Sequence, residues 1–280
     1  MKRFLLLLEI LLFVIAFLVV QMGTMFIVSG LQICIAAGTE SNDLANQIKV
    51  IMSGSLIPDA TGLIISSIVS SVLILLMFLS LRWTPVSPTY LRTRPWTVFA
   101  WVVVLTLGTI IPSTWLGEQI PYDMPEDLEA MLVHMMHSRW GYLAIGILAP
   151  LAEEVVFRGA VLRVLLKVFD ERWYWIPIIL SAMIFGAVHG NVQQFIHATL
   201  IGLILGWMYY RTRSILPGIL FHWVNNSVAY VISNLMPGAE DAQLVDIFGG
   251  DQQAVWLSLI FSCCLMLPAL FQLYLHMKKA

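Results

Sequence analysis

The sequence predicts an all-α fold, a polytopic transmembrane helical bundle with about eight membrane-spanning helices. Of its 280 residues, 59% are hydrophobic and 11% are charged, whereas an ordinary soluble domain carries roughly 25% charged residues. The apolar residues form continuous runs and not the alternating pattern of a membrane barrel. Lipid offers the backbone no hydrogen-bond partner, so each run is predicted to be a helix. A soluble globular protein and a disordered or fibrous chain are excluded.

Eight apolar runs follow one another along the chain. The first comes after Lys2 and Arg3 but is too long for a secretory signal, so we expect a retained helix. The loops between runs are too short to form an independent core, and residues 1–280 are therefore expected to form a single integral membrane domain. The runs are 4–35, 60–81, 96–112, 139–166, 174–190, 195–210, 214–235 and 253–275.

The net charge and the cysteine content argue against a nucleic-acid-binding protein and against a fold held by disulfides or cysteine-bound metal. A formal net charge of −2 gives no electrostatic footprint for nucleic acid. The three cysteines, Cys34, Cys263 and Cys264, form neither a disulfide framework nor a cluster with metal-site spacing. The expected partners are therefore the lipid bilayer and a substrate, with no nucleic acid.

The distribution of basic residues predicts the orientation in the membrane. Threading eight spans with the N-terminus inside places thirteen of the 15 Lys and Arg residues on or towards the cytoplasmic side, and only Lys49 and Arg139 outside. We expect both termini in the cytoplasm, in the cell (inner) membrane of a prokaryote. Residues 113–138 and 236–252 then form loops on the outer side.

The fourth run contains two adjacent carboxylates, Glu153 and Glu154, followed by Arg158. A charge inside a bilayer costs about 2.5–3.5 kcal/mol on insertion scales, so charged residues at this depth indicate a functional or structural role. Helical spacing puts Glu154 and Arg158 on one face, where they can pair, and leaves Glu153 free on another. The alternative interpretation is an ion pair that locks two helices, with Glu153 as a second anchor.

Two later runs carry further polar groups at a comparable depth: His189 in the fifth, and His222 and Asn226, four residues apart, in the seventh. Such a set supports hydrolysis, because a glutamate can deprotonate water and His and Asn donors can stabilise an oxyanion. The same residues could instead hold a divalent metal such as zinc, with Glu153, His189 and His222 as ligands. Spacing alone does not separate these two mechanisms, although the H-E-x-x-H motif of helical zinc proteases is absent.

The three segments together resemble the CPBP family of intramembrane proteases, which contains CAAX prenyl proteases and bacteriocin-processing enzymes and is also called the Abi family. The family shows Glu-Glu-x-x-x-Arg, then Phe-x-x-x-His, then His-x-x-x-Asn or Asp on successive helices. This chain has Glu153-Glu154-Val-Val-Phe-Arg158, Phe185-Gly-Ala-Val-His189 and His222-Trp-Val-Asn-Asn226. The resemblance covers about 139–235, the expected catalytic core.

The resemblance implies a role for each motif residue. Glu153 would activate water with His189 as its partner, and His222 and Asn226 would stabilise the oxyanion. Glu154 and Arg158 would be supporting residues. A glutamate mechanism without a required metal is preferred to a metalloprotease. His197 has no counterpart in the pattern and is expected to be structural.

We therefore expect a CAAX-protease-like intramembrane endopeptidase that acts on a membrane-associated or lipid-modified protein or peptide. Its cavity is expected to open towards the cytoplasm. Two alternatives from other classes remain: a non-catalytic relative acting as a bacteriocin immunity or scaffolding protein, and a proton-coupled transporter. Transporters usually show paired repeats with broken helices, which this sequence lacks.

Overall fold

The computed structural model describes residues 2–40, 52, 57–85, 89–120, 126–236 and 242–277. Over these residues the fold is all-α, as predicted, and no strand occurs among them. The helices are α1 (Lys2–Glu40), α2 (Ala60–Ser80), α3 (Thr89–Arg92), α4 (Trp96–Glu118) and α5 (Glu126–His137). Five consecutive segments, Arg139–Gly141, Tyr142–Leu148, Ala149–Glu153, Glu154–Leu162 and Arg163–Val168, form one long helix, α6. A short 3₁₀ turn (Glu171–Trp173) leads to α7 (Trp175–Ala187), α8 (Val192–Thr212), α9 (Leu216–Leu235), α10 (Leu244–Ile247) and α11 (Gln252–His276).

The chain is a membrane protein, but the count of eight spans is not confirmed. Each of the eight apolar runs contains a helix, and five of the described helices, α1, α2, α4, α8 and α11, are long and apolar enough to cross a bilayer. Helix α7 has 13 residues, about 20 Å of rise against a hydrocarbon core of about 30 Å. Helices α6 and α9, which carry polar motif residues, are not among these five. Numerous large apolar side chains on α1, α2 and α11 are exposed, as expected of surfaces that face lipid.

Helix α6 is wound more widely than an α-helix in two stretches, Tyr142–Leu148 and Glu154–Leu162. In these π-helical turns each N–H bonds five residues back instead of four, a geometry that often marks functional sites. Pro150 follows the first stretch and has no N–H to donate, so the carbonyl of Ile145, five residues back, is left without that backbone partner. The Asn226 side chain on α9 donates to this carbonyl at 2.9 Å. One helix therefore supplies the hydrogen bond that a proline removes from another.

The second wide stretch of α6 also receives donors from outside the helix. Thr84 Oγ1 donates to the carbonyl of Val155 at 2.6 Å, and Ser181 Oγ of α7 donates to the carbonyl of Phe157 at 3.1 Å. All four of these residues are buried. The wide turns are therefore held at fixed points by side chains from the segment after α2 and from α7.

Aromatic side chains pack α1 and α2 against the back of α6. Phe17 and Phe157 meet edge to face with ring centroids 5.2 Å apart, and Phe13 lies 5.8 Å from Phe78. All four rings are fully buried or nearly so. This apolar layer fixes α6 on one side and leaves its other side, which carries the carboxylates, facing α8 and α9.

Candidate active site

Helices α6 to α9 surround a cavity of about 470 Å³. Its walls carry Glu153, the imidazoles of His189, His197 and His222, and the amides of Gln194, Asn225 and Asn226. Apolar side chains of α5, including Leu132 and Met136, close one side. The motif residues of three separate segments are thus brought to one cavity, with Glu154 and Arg158 packed behind it.

Glu154 and Arg158 form the ion pair that the spacing predicts. Arg158 Nη1 lies 2.8 Å from Glu154 Oε1, and the two side chains are 1% and 0% exposed. The guanidinium also lies over the ring of Phe185, 4.3 Å from its centroid, a favourable cation–π geometry. Because the arginine is enclosed by α6, α7 and α8, its charge is shielded from lipid and fixes the Glu154 carboxylate.

His222 lies between the two carboxylates. Its Nε2 is 3.6 Å from Glu153 Oε2, and its Nδ1 is 3.6 Å from Glu154 Oε1. Gly218, one helical turn before His222, makes room for this arrangement, since a Cβ there would lie 2.4 Å from Glu154 Oε2. The imidazole therefore links a buried, paired carboxylate to one that faces the cavity.

His189, the expected partner of Glu153, lines the same cavity as this carboxylate. His222 Nε2 also lies beside it, 3.6 Å from Glu153 Oε2. Helix α7 ends at Ala187, and His189 Nδ1 lies 2.8 Å from the carbonyl of Phe185. This bond requires Nδ1 to carry the proton, so that in the neutral ring Nε2 is an acceptor.

Phe185 packs against both imidazoles. Its ring meets His189 edge to face at 5.0 Å between centroids, and it meets His222 in the same way at 5.9 Å. The same ring lies under Arg158. The aromatic position of the Phe-x-x-x-His motif therefore separates the buried cation from the cavity and orients both histidines.

Asn226 is held on both sides of its amide. Its Nδ2 donates to the carbonyl of Ile145, and its Oδ1 accepts from Asn225 Nδ2 at 3.2 Å. One N–H of the amide is used in this way, and the second remains for another acceptor. The residue consequently ties α9 to α6 at the level of the cavity.

Two polar residues of the cavity wall, Gln194 and Asn225, are not singled out by the sequence motifs. His197, which is expected to be structural, also lies in this wall. The spacing of Gln194, His197, Ala198 and Ile201 follows one face of a helix, and this pattern could have revealed them. The remaining histidines, His134, His137 and His276, do not line this cavity.

The residues as placed do not fit a metal. Within the part of the chain that the structure describes, no group of three or more His, Cys, Asp or Glu side chains is arranged to hold an ion. Glu153, His189 and His222, the expected ligand set, line one cavity but do not form such a group. We derive no step through a metal.

The position of the cavity brings two expectations into conflict. Its walls come from the first half of α6 and α8, the end of α7 and the side of α5. The predicted orientation assigns α5 to the outer side of the membrane. If both termini are cytoplasmic, contact with this helix favours an opening on the outer side over the expected opening towards the cytoplasm.

Comparison with known proteins agrees with the motif pattern. Residues 135–228, about a third of the chain, match the family model described as type II CAAX prenyl endopeptidase Rce1-like. The resemblance is therefore confirmed. The Bacillus subtilis (strain 168) protein named "Putative membrane peptidase YdiL" is 29% identical over 91 residues, which are 32% of this chain and 36% of that protein. The chain thus spans about a third of the length of this relative, and no solved structure matches it.

Proposed function

We propose that the protein is an intramembrane endopeptidase that hydrolyses a peptide bond of a membrane-associated or lipid-modified protein or peptide. The observation that carries the proposal is the position of His222 between Glu153 and Glu154, at the wall of a cavity that also holds His189 and Asn226. The family match supports a peptidase, since it covers all three motifs.

In the proposed mechanism Glu153 is the general base. Its side chain is 15% exposed and faces the cavity, whereas Glu154 is fully buried and paired. Glu153 takes a proton from water, and the hydroxide attacks the carbonyl carbon of the substrate. The same carboxyl then returns the proton to the leaving amine as the C–N bond breaks.

His222 and Asn226 are the proposed donors to the oxyanion of the tetrahedral intermediate. A hydrogen bond aimed at developing charge in a water-poor site stabilises the transition state by about 3–4 kcal/mol. The free N–H of Asn226 and the imidazole of His222 border the same cavity. His189, with Nε2 as an acceptor, is the proposed orienting group for the attacking water.

Glu154 and Arg158 are proposed as supporting residues. Their ion pair fixes the carboxylate that faces His222 Nδ1. Removing one member of a buried pair leaves an uncompensated charge, which costs about 3–5 kcal/mol. These residues therefore act through His222 and not on the substrate.

The test is peptide cleavage by the purified protein in detergent with a panel of quenched fluorescent peptides. Glu153→Gln is expected to abolish turnover while thermal stability stays near that of the wild type, because Glu153 has no arginine partner. Glu154→Gln is expected to reduce both, because Arg158 loses its counter-charge. Glu9→Gln in α1 is the control, and turnover by Glu153→Gln equal to that of the control would remove the proposal.

We also propose that both termini are cytoplasmic and that substrates reach the cavity from the opposite side of a prokaryotic cell membrane. The distribution of Lys and Arg supports the orientation, and the contact of the cavity with α5 supports the side of access. Reporter fusions at residues 88 and 245 test the first point. Activity of a cytoplasmic reporter at 245 would contradict it.

A further inference from the structure

A second cavity, which we call the apolar chamber, lies beside the proposed active site. Its volume is about 570 Å³, within the range of pockets that bury a ligand. The walls come from α4, α5, α9 and α10 and are mainly apolar. They include Ile110, Val133, Ala229, Ile232, Ile247 and Phe248.

The apolar chamber adjoins the catalytic cavity. Leu132, Met136, His197 and Asn225 line both spaces. Asn225 also donates to the Oδ1 of Asn226. The chamber therefore lies next to the proposed site of hydrolysis, on the side of His197 and Asn225.

One end of the chamber is closed by α10, which is fixed to α4. The backbone N–H of Leu244 donates to Glu118 Oε1 at 2.6 Å, and Leu244 is 5% exposed. Helices α4 and α10 both lie outside the segment that matches the family model, residues 135–228. The chamber is therefore built in part by elements that the family match does not describe.

The polar groups in the walls indicate which kind of chain fits. The residues with polar side chains in the apolar surface are Ser113, Thr114, Glu129, His197, Asn225 and Ser233. The hydroxyls of Ser113 and Thr114 already donate to the carbonyl of Ile110, and Asn225 Nδ2 donates to Asn226. A hydrocarbon chain offers no partner to the remaining polar atoms, and each such group left unpaired on burial costs about 1–3 kcal/mol. Peptide N–H and C=O groups can pair with them, while apolar side chains of the peptide contact the remaining walls.

We propose that the apolar chamber binds apolar side chains of the peptide substrate next to the scissile bond and so selects the substrate sequence. This inference rests on the proposed function. A pocket of this kind discriminates by roughly 10–200-fold in kcat/KM for each methylene-sized difference. We expect peptides with leucine on the chamber side of the scissile bond to be preferred to those with alanine or aspartate.

The kinetic test uses quenched peptides that differ in this one residue, assayed with the full-length protein in detergent. Ala229→Phe fills the chamber and is expected to raise KM for the leucine peptide about tenfold with little change in kcat. Val231→Phe is the matched control, since Val231 is 48% exposed and lies outside the chamber. Equal preference for leucine over alanine peptides in the wild type and in Ala229→Phe would overturn the proposal.

A binding test separates this inference from the proposed function. The Glu153→Gln protein is irradiated with a peptide that carries a diazirine analogue of leucine, and labelled residues are mapped by mass spectrometry. Labels within 229–248, reduced in Ala229→Phe, support the chamber even if the wild type cuts no peptide. Labels elsewhere overturn it, as does a diazirine fatty acid that labels the chamber and is not displaced by the peptide.

Discussion

Gly218→Ala is predicted to damage the proposed active site from one helical turn away. A Cβ at this position would lie 2.4 Å from Glu154 Oε2 and 3.2 Å from its Cδ. Ordinary van der Waals contact begins at 3.4 Å, so the carboxylate must retreat by about 1 Å. This carboxylate holds Arg158 at 2.8 Å and faces His222 at 3.6 Å, and neither distance can be kept after such a movement.

The expected magnitude follows from two effects. Overpacking a filled interior costs about 1–3 kcal/mol of stability. A displacement of about 1 Å in a catalytic arrangement can reduce the rate about 100-fold. Gly218→Ala is therefore expected to lower kcat/KM by about 100-fold and to lower the apparent Tm in detergent.

The measurement combines peptide cleavage with thermal unfolding in the same detergent. Gly30→Ala on α1 is the matched control, because a Cβ there meets nothing within 4 Å. Alanine is favoured over glycine inside a helix by about 1 kcal/mol, so this control should keep its activity and lose no stability. If Gly218→Ala and Gly30→Ala behave alike in both assays, the close approach of Glu154 to α9 has no role in the site.

Three other predictions concern different parts of the molecule. Asn226→Ala leaves the Ile145 carbonyl without its donor and should lower the free energy of unfolding by about 1–3 kcal/mol. Adding Pro150→Ala restores a backbone N–H, so the double variant should regain stability in thermal unfolding but not peptide cleavage. Recovery of both would contradict a role for Asn226 in the oxyanion site. A hydrogen bond from the Gly62 N–H, and a weaker effect of the Gln32 side chain, lower the pKa of Asp59 below its ordinary value of 3.8. The ionised carboxylate therefore stabilises the fold above pH 3.8. That stabilisation is lost as the pH falls through the lowered pKa, so the fall in Tm below pH 3.8 should be smaller in Asp59→Asn than in the wild type. Identical plots of Tm against pH for the two proteins would refute this prediction. Peptide cleavage should persist after dialysis against a chelator, and loss of activity that zinc restores would refute the glutamate mechanism.

The pairwise contacts on one helix could be predicted from the sequence. Glu154 and Arg158 are four residues apart and form the expected ion pair. The membrane character and the helical runs also follow from composition, because apolar helices need no partner to satisfy their backbone. Contacts that depend on local spacing and burial are thus accessible without coordinates.

The detailed geometry of the site could not be predicted, for identifiable reasons. Spacing gives the face of a helix but not where a helix ends, and the end of α7 at Ala187 leaves His189 Nδ1 against the Phe185 carbonyl. A period of 3.6 residues does not hold throughout α6, because Tyr142–Leu148 and Glu154–Leu162 are wound more widely. The position of His197 depends on how α8 packs against α9, which no single helix specifies.

The hydrogen bonds that side chains of other segments donate to α6 also have a consequence for the synthesis of the protein. Its carbonyls are satisfied by residues distant in the chain: Thr84 lies 71 residues before its partner, Ser181 lies 24 residues after its own, and Asn226 lies 81 residues after Ile145. The whole of α6 is therefore synthesised before two of these three donors, Ser181 and Asn226. The spacing of Glu153 and Glu154 relative to His222 is completed only when α9 has been inserted. On the proposed mechanism, a nascent chain consequently has no complete active site until the segment with His222 and Asn226 has been inserted.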